Sequence, residues 1–306
     1  VPRYSTPMRT LPALSTALTA LTALAPHAAS APPRPFEITD YYRTAFVGSP
    51  ALSPDGARVA FTVRRYDVAH EETWSELWMM AADGSRRRPM TTGRTSNSSP
   101  AFTPDGTRIL FTRSGQLWTI PVDGGDSTQL TDFAPGVADP VFSPDGRWIA
   151  VTSEVFPECG ADEECNEKRS KAAADNALKV HVADELLYRH WTSWRDGKYA
   201  HVLLVDAETG EVVRDLTPGA WDSPTFSLGG GRGYAFSPNS KELVFVSNRD
   251  ADQSESTNAD LWALALDGDG AAEPRRLTEN RGWDGAPLFW TAGRSLAVLS
   301  QATPAA

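Results

Sequence analysis

Phe142-Ser143-Pro144-Asp145-Gly146-Arg147-Trp148-Ile149-Ala150-Val151-Thr152-Ser153 opens as a turn and runs on as a strand. Pro presets φ for the first turn position, the Asp carboxylate can accept from backbone two residues on, and Gly tolerates positive φ. The apolar, β-branched segment that follows suits a buried pleated surface. The same phrase stands at Leu52-Ser53-Pro54-Asp55-Gly56 before Arg58–Val63, and at Phe102-Thr103-Pro104-Asp105-Gly106 before Arg108–Thr112. A fourth copy, Phe236-Ser237-Pro238-Asn239-Ser240, precedes Glu242–Ser247, and a decayed fifth, Phe289-Trp290-Thr291-Ala292-Gly293, precedes Ser295–Ser300.

A second marker follows each copy. Leu77-Trp78, Leu117-Trp118 and Leu261-Trp262 sit in the next apolar segment, and His201–Val205 fills that slot in the third unit. Tight-turn residues come next: Asp83-Gly84, Asp123-Gly124, Glu208-Thr209-Gly210 and Asp267-Gly268. Asp-Gly supplies the positive φ of a short hairpin. Each unit closes on Met90-Thr91, Leu130-Thr131, Leu216-Thr217 or Leu277-Thr278. The order is that of a four-stranded antiparallel meander. Turn prolines at 54, 104, 144 and 238 are 50, 40 and 94 residues apart, so the third unit carries a large insertion. Sheets repeating at this period bury their faces by stacking radially. The expected fold is an all-β propeller, incomplete at about four and a half blades, with a partly helical insertion in the third; an open β-sandwich would not repeat its own sequence. The units fall at about 49–92, 98–132, 138–219, 233–279 and 283–306, after a lead-in at 32–48.

Residues 1–31 read as a targeting segment. Arg3 and Arg9 precede an uncharged run from Leu11 to Ala25, and His27-Ala28-Ala29-Ser30-Ala31 ends in a small-residue cleavage pattern. Cleavage after Ala31 would deliver a periplasmic or secreted protein with no further membrane association. Net charge −10 argues against nucleic acid, whose phosphates ask for a basic patch.

The insertion reads Val155-Phe156-Pro157-Glu158-Cys159, then Cys165-Asn166-Glu167-Lys168, then Asp184-Glu185-Leu186-Leu187-Tyr188-Arg189-His190-Trp191, then Trp194-Arg195-Asp196-Gly197-Lys198. With the repeats, it resembles the third-blade region of secreted bacterial dipeptidyl peptidases in the acylaminoacyl-peptidase-like branch of the prolyl oligopeptidase family. The repeats alone equally resemble the TolB scaffold, a propeller without chemistry. The peptidase resemblance implies a propeller capping an α/β-hydrolase domain with Ser, Asp and His in that order, cleaving oligopeptides without a cofactor, with a homo-oligomer as one form of the complete enzyme. It also implies a propeller carboxylate for the substrate ammonium and an Arg for a peptide carbonyl. Glu185 and Arg189, four apart, are the candidates if the stretch from Asp184 is helical. Trp191 and Trp194 are candidates to wall a pocket for an apolar side chain. The competing reading of all four is structural: a surface ion pair and two packing indoles.

The hydrolase half is not legible in this sequence. The nucleophile elbow needs Gly-x-Ser-x-Gly. Gly125-Asp126-Ser127 runs to Gln129, and Gly293-Arg294-Ser295 to Ala297. The expectation is a truncated chain that hydrolyses nothing by itself. Cys159 and Cys165, the two cysteines, lie in one loop of a chain expected to be exported, and are expected to pair. No metal set is expected: His70-Glu71-Glu72 does not satisfy H-E-x-x-H, and Asp267-Gly268-Asp269-Gly270 lacks the distal Glu of a calcium loop.

Overall fold

The computed structural model describes residues 34–178, 180–184, 186, 188–225, 232–251, 253–267, 273–290, 293 and 295–301. The expected targeting segment and Glu185 lie outside them. Of a first compact unit, Val1–Glu37, the described part is 34–37, which has no regular structure. Everything below concerns the second, Ile38–Ala306.

A short helix α1 (Ile38–Arg43) leads into four four-stranded antiparallel sheets, each a simple meander apart from the third. The first is β1 (Phe46–Leu52), β2 (Arg58–Asp67), β3 (Glu72–Ala81) and β4 (Arg88–Pro89). The second is β5 (Asn97–Phe102), β6 (Arg108–Arg113), β7 (Gln116–Pro121) and β8 (Thr128–Gln129). The third begins with β9 (Ala138–Phe142) and β10 (Trp148–Val155). Its insertion holds helix α2 (Glu163–Asp175) and a small hairpin, β11 (Arg189–His190) with β12 (Ser193–Trp194). It resumes at β13 (Tyr199–Asp206) and β14 (Val212–Asp215). The fourth is β15 (Tyr234–Phe236), β16 (Glu242–Ser247), β17 (Asp260–Ala265) and β18 (Arg275–Arg276), and β19 (Asp284–Trp290) pairs with β20 (Ser295–Ser300) as a two-stranded fifth.

The repeated phrase is a repeated hydrogen-bond pattern. The Ser53, Thr103 and Ser143 hydroxyls donate to Asp55, Asp105 and Asp145 at 2.5, 2.5 and 2.6 Å, and Ser237 donates to Asn239 at 2.7 Å. The same hydroxyls accept from the N–H groups of Arg58, Arg108, Trp148 and Glu242 at 2.9–3.1 Å, locking the turn to the strand it starts. Gly56, Gly106 and Gly146 take φ near +70°, and Ser240 fills the same place in the fourth copy at +59°. The closing threonines finish each sheet where the short fourth strand runs out. The hydroxyls of Thr91, Thr131, Thr217 and Thr278 accept from Leu77, Leu117, Val202 and Leu261 N–H at 3.0, 2.9, 2.9 and 3.0 Å. A buried N–H left without such an acceptor costs about 1–3 kcal/mol.

Radial stacking shows in the core. One apolar cluster joins the first sheet to the second (Ala60, Leu77, Phe102, Ile109, Phe111), and another joins the second to the third (Leu110, Leu117, Ile149, Val151, Leu203). A third cluster joins the third sheet to the fourth, and a fourth reaches from the fourth sheet to Phe289 and Leu296 of the fifth. First strands touch in succession, β1 to β5, β5 to β9, β9 to β15 and β15 to β19, so they are the inner strands. Sheets two and three also meet at Gly210, where an added Cβ would lie 1.7 Å from the Leu130 carbonyl oxygen.

Each inner strand but the fourth carries a feature absent from the sequence expectations. Ser49, Ser99, Asp139 and Ala286 adopt left-handed φ of 47–51°, each directly before a proline, and all four mark irregularities in strand register. The meander also sorts the loops. First and third turns of every sheet lie at one end of the strands. Second turns and the links between sheets lie at the other, so the insertion and the link from sheet three to sheet four share one face.

Candidate functional site

The insertion leaves β10 at Val155, which is fully buried, as its neighbour Phe156 is nearly so. Cys159 and Cys165 form a disulfide, the expected pairing. Asp162 caps α2, accepting from Cys165 N–H at 3.0 Å, which satisfies one of the four free donors of a helix start. Asn166, 1% exposed, ties the ring together: its Oδ1 accepts from Phe156 N–H at 3.0 Å, and its Nδ2 donates to the Gly160 and Asp162 carbonyls at 2.9 and 2.8 Å. Gly160 packs so close to Asp215 that a Cβ would come within 2.7 Å of Oδ2. That same oxygen lies 2.7 Å from Nδ1 of the wholly buried His201, whose Nε2 lies 2.9 Å from the Gly219 carbonyl oxygen. The disulfide ring therefore rests on a polar bracket that joins β13, β14 and the link beyond. At the return of the insertion, Arg195 pairs with Asp222 at 2.7 Å, and the other Asp222 oxygen accepts from Ala200 N–H at 2.9 Å.

Beyond α2 the chain is exposed. The helix of the insertion is Glu163–Asp175, and the described residues around Asp184 are not helical. The expectation of Glu185 and Arg189 on one helical face is thereby corrected. Ala172, Ala173 and Ala174 favour helix, whereas the later stretch is rich in β-branched and aromatic residues and turns at Trp191-Thr192. Arg189 opens the hairpin and pairs in register with Trp194. Its guanidinium lies over the Trp194 ring at 5.6 Å.

The two tryptophans behave differently. Trp194 is stacked, with the His181 ring 4.1 Å away and nearly parallel and the Tyr188 ring at 5.8 Å. His181 in turn contacts Asp196 at 2.6 Å. Trp191, at the hairpin tip, is 76% exposed and held at φ +46°, where a β-turn ordinarily places Asn or Gly. Sequence reasoning missed His181 and Tyr188, whose only signal was their aromatic character. Leu178, Val180, Val182 and Leu186 are also exposed, so the segment carries apolar side chains well away from any core. Among the described residues no group of three or more His, Cys, Asp or Glu is placed to hold a metal, and no helix is long and apolar enough to cross a membrane. The Leu-Trp indoles pack within blades, under Arg65 (5.9 Å), Arg113 (4.9 Å) and Arg249 (4.7 Å) for Trp78, Trp118 and Trp262.

The family model of the TolB β-propeller domain matches residues 42–162. The fold is a TolB-like β-propeller. Dipeptidyl-peptidase 5 of Porphyromonas gingivalis is 27% identical over 266 residues, 83% of this chain and 37% of that protein. The propeller also superposes on a puromycin-hydrolyzing peptidase of Mycobacterium tuberculosis with a TM-score of 0.57, at 16% identity over 88% of this chain and 36% of that one. For the acylaminoacyl peptidase of Pyrococcus horikoshii the TM-score is 0.55, at 13% identity over 78% of this chain and 33% of that one. At such identities the two solved structures show a shared fold. The chain spans a little over a third of the curated relative. The propeller is related to those of peptidases and to TolB.

Proposed function

We propose that this chain is the substrate-selecting propeller portion of an exported serine exopeptidase of the dipeptidyl-peptidase type, which admits and holds oligopeptides for a hydrolase domain and has no catalysis of its own. The observation that carries the reading is the 266-residue relation to a dipeptidyl peptidase, which takes in most of the propeller yet only 37% of that enzyme. The geometry supports it. A braced insertion on the face of the long loops presents Trp191 and Arg189 to whatever approaches that face, and large exposed aromatics are typical contact residues. Glu185 is the proposed partner of the substrate ammonium, and a desolvated pair of that kind is worth about 2–5 kcal/mol.

The experiment compares this chain with the same reading frame extended downstream. The chain alone should leave dipeptidyl chromogenic substrates intact. The extended protein should hydrolyse them, and Glu185→Gln should raise KM for free-amine substrates far more than for N-blocked ones. N-terminal sequencing of exported material should begin near Pro32. An extended frame that encodes no Gly-x-Ser-x-Gly refutes the peptidase reading. The family match over residues 42–162 favours a second reading, a TolB-like scaffold that binds protein partners, and that result would select it.

A further inference from the structure

A cavity of about 380 Å³ lies where the third, fourth and fifth sheets meet, at the loop end of their inner strands. Its wall includes Asp139 of β9, Tyr234 of β15, Val246 of β16, Trp283 just before β19, and Thr225 and Arg232 from the link between sheets three and four. Blade packing does not account for this polar set. The position of Asp139 is repeated as Ser49, Ser99 and Ala286, all left-handed before a proline, so the fold asks for no charge there. One Asp139 oxygen accepts from the Ser99 hydroxyl at 3.1 Å, and its backbone carbonyl accepts from the Tyr234 hydroxyl. Arg232 is exposed and has no ion-pair partner among the described residues. The Trp283 indole nitrogen and the Thr225 hydroxyl are buried without hydrogen-bond partners among the described residues, and native structures leave few such groups unused. Both charged residues line the same cavity as Tyr234. Burial and then Asp139 raise the pKa of Tyr234 above the ordinary tyrosine range, and Arg232 opposes them.

We propose that this cavity binds a short unblocked peptide as a zwitterion, its carboxylate on Arg232 and its ammonium on Asp139. A planar guanidinium matches a carboxylate with two parallel hydrogen bonds. Trp283 and Thr225 stand in the same wall, and Val246 offers apolar surface. The volume falls at the small end of the roughly 300–1,000 Å³ of small-ligand sites, which suits a dipeptide better than a long chain. A net charge of −10 on the whole chain disfavours polyanions and leaves a single carboxylate acceptable. The preference for a peptide over other zwitterions rests on the peptidase reading above. The pairing of charges does not.

Calorimetric titration of the chain with alanyl-phenylalanine, its C-terminal amide and its N-acetyl derivative tests the site, with Trp fluorescence as a second signal. Arg232→Gln should weaken the free dipeptide by about tenfold or more, about 1.4 kcal/mol, and should leave the amide unchanged. Asp139→Asn should do the same for the free amine and spare the N-acetyl form. Arg232→Lys should fall between wild type and Arg232→Gln, and unchanged melting of the Arg232 variants excludes a folding effect. No binding of the free dipeptide, or equal binding of dipeptide and amide, overturns the proposal. Equally tight, Arg232-dependent binding of 6-aminohexanoate overturns the choice of a peptide. Neither result bears on whether the extended frame encodes a peptidase.

Discussion

Replacing Thr131 by Val removes one oxygen and almost no volume. The Thr131 hydroxyl is buried at 1% exposure, accepts from Leu117 N–H at 2.9 Å, and donates to Gln116 Oε1 at 2.8 Å. Leu117 itself is fully buried, so its N–H would face a methyl group out of reach of water. Gln116 Oε1 keeps the Phe133 N–H at 3.1 Å, so the damage centres on one donor. An orphaned buried N–H costs about 1–3 kcal/mol, and the deeper end applies here, about 2 kcal/mol. For a chain of this size that is a fall of about 3 °C in Tm. Thr103 supplies the control. Its hydroxyl also accepts an N–H and donates to a side chain, but it sits in a half-buried turn. Water can replace it there, and Thr103→Val should cost about 0.5–1 kcal/mol. Urea unfolding followed by Trp fluorescence measures both, and Thr131→Ser should retain most of the stability. Equal losses at the two sites, or a neutral Thr131→Val, would refute the argument that an inaccessible N–H makes the closing threonine matter.

Gly210→Ala should destabilise by about 3 kcal/mol, because left-handed backbone strain of about 1–2 kcal/mol adds to a clash with the Leu130 carbonyl; a loss below 1 kcal/mol by urea titration would show that sheets two and three slide apart freely. Hydrogen bonds from Ser53, Thr103 and Ser143 hold the Asp55, Asp105 and Asp145 carboxyls below the ordinary range. Since their folded pKa values are depressed, their stabilisation is complete above the unfolded value of about 3.9 and is lost as pH falls through the folded values. These groups contribute no pH dependence between about pH 5 and 8, and Asp105→Asn should flatten the acid limb of the urea midpoint; an unaltered limb would exclude the turn carboxylates as its source. Trp191→Ala should change stability by under about 0.5 kcal/mol, whereas Trp194→Ala, which removes three stacking partners, should loosen the hairpin and speed proteolysis at 178–194; similar proteolysis of both would erase the distinction between tip and anchor.

The turn and closing motifs were legible because each is a local hydrogen-bond device with a fixed residue type. Ser-Pro-Asp-Gly names its own donors and acceptors, and Leu-Thr names the acceptor for the third strand. The third unit shows the limit of that code. Val202 holds the Leu slot and Leu203 faces Val151 where Trp118 faces Phe111, so the register persists though the Leu-Trp pair is gone. The left-handed residues of the inner strands were not foreseen, because a residue before proline is normally expected to be extended. Their signal was present, as Ser49-Pro50, Ser99-Pro100, Asp139-Pro140 and Ala286-Pro287 each lead into a repeat. The insertion was placed correctly in sequence, and its disulfide was legible from two cysteines and an export pattern. Its helix runs over Glu163–Asp175, where Ala172–Ala174 carry more helical preference than the aromatic stretch after Asp184. The cavity of Asp139 and Arg232 joins residues 93 positions apart (232 − 139), one in β9 and one in the link before β15, a proximity that no local pattern encodes.

The disulfide ring closes entirely on the outgoing side of the insertion. Both cysteines precede residue 166, and no covalent link spans the exposed stretch that returns to β13. A single protease cut between residues 176 and 188 would therefore give two polypeptides held by noncovalent contacts. The eight consecutive β10–β13 pairs, Trp148↔Asp206 through Val155↔Tyr199, and the clusters on either side would keep them together. The nicked molecule should elute from a sizing column as the intact one does, and separate on a denaturing gel even without reductant. Two halves expressed apart, one ending in the ring and one beginning near the hairpin, should find each other by that same ladder.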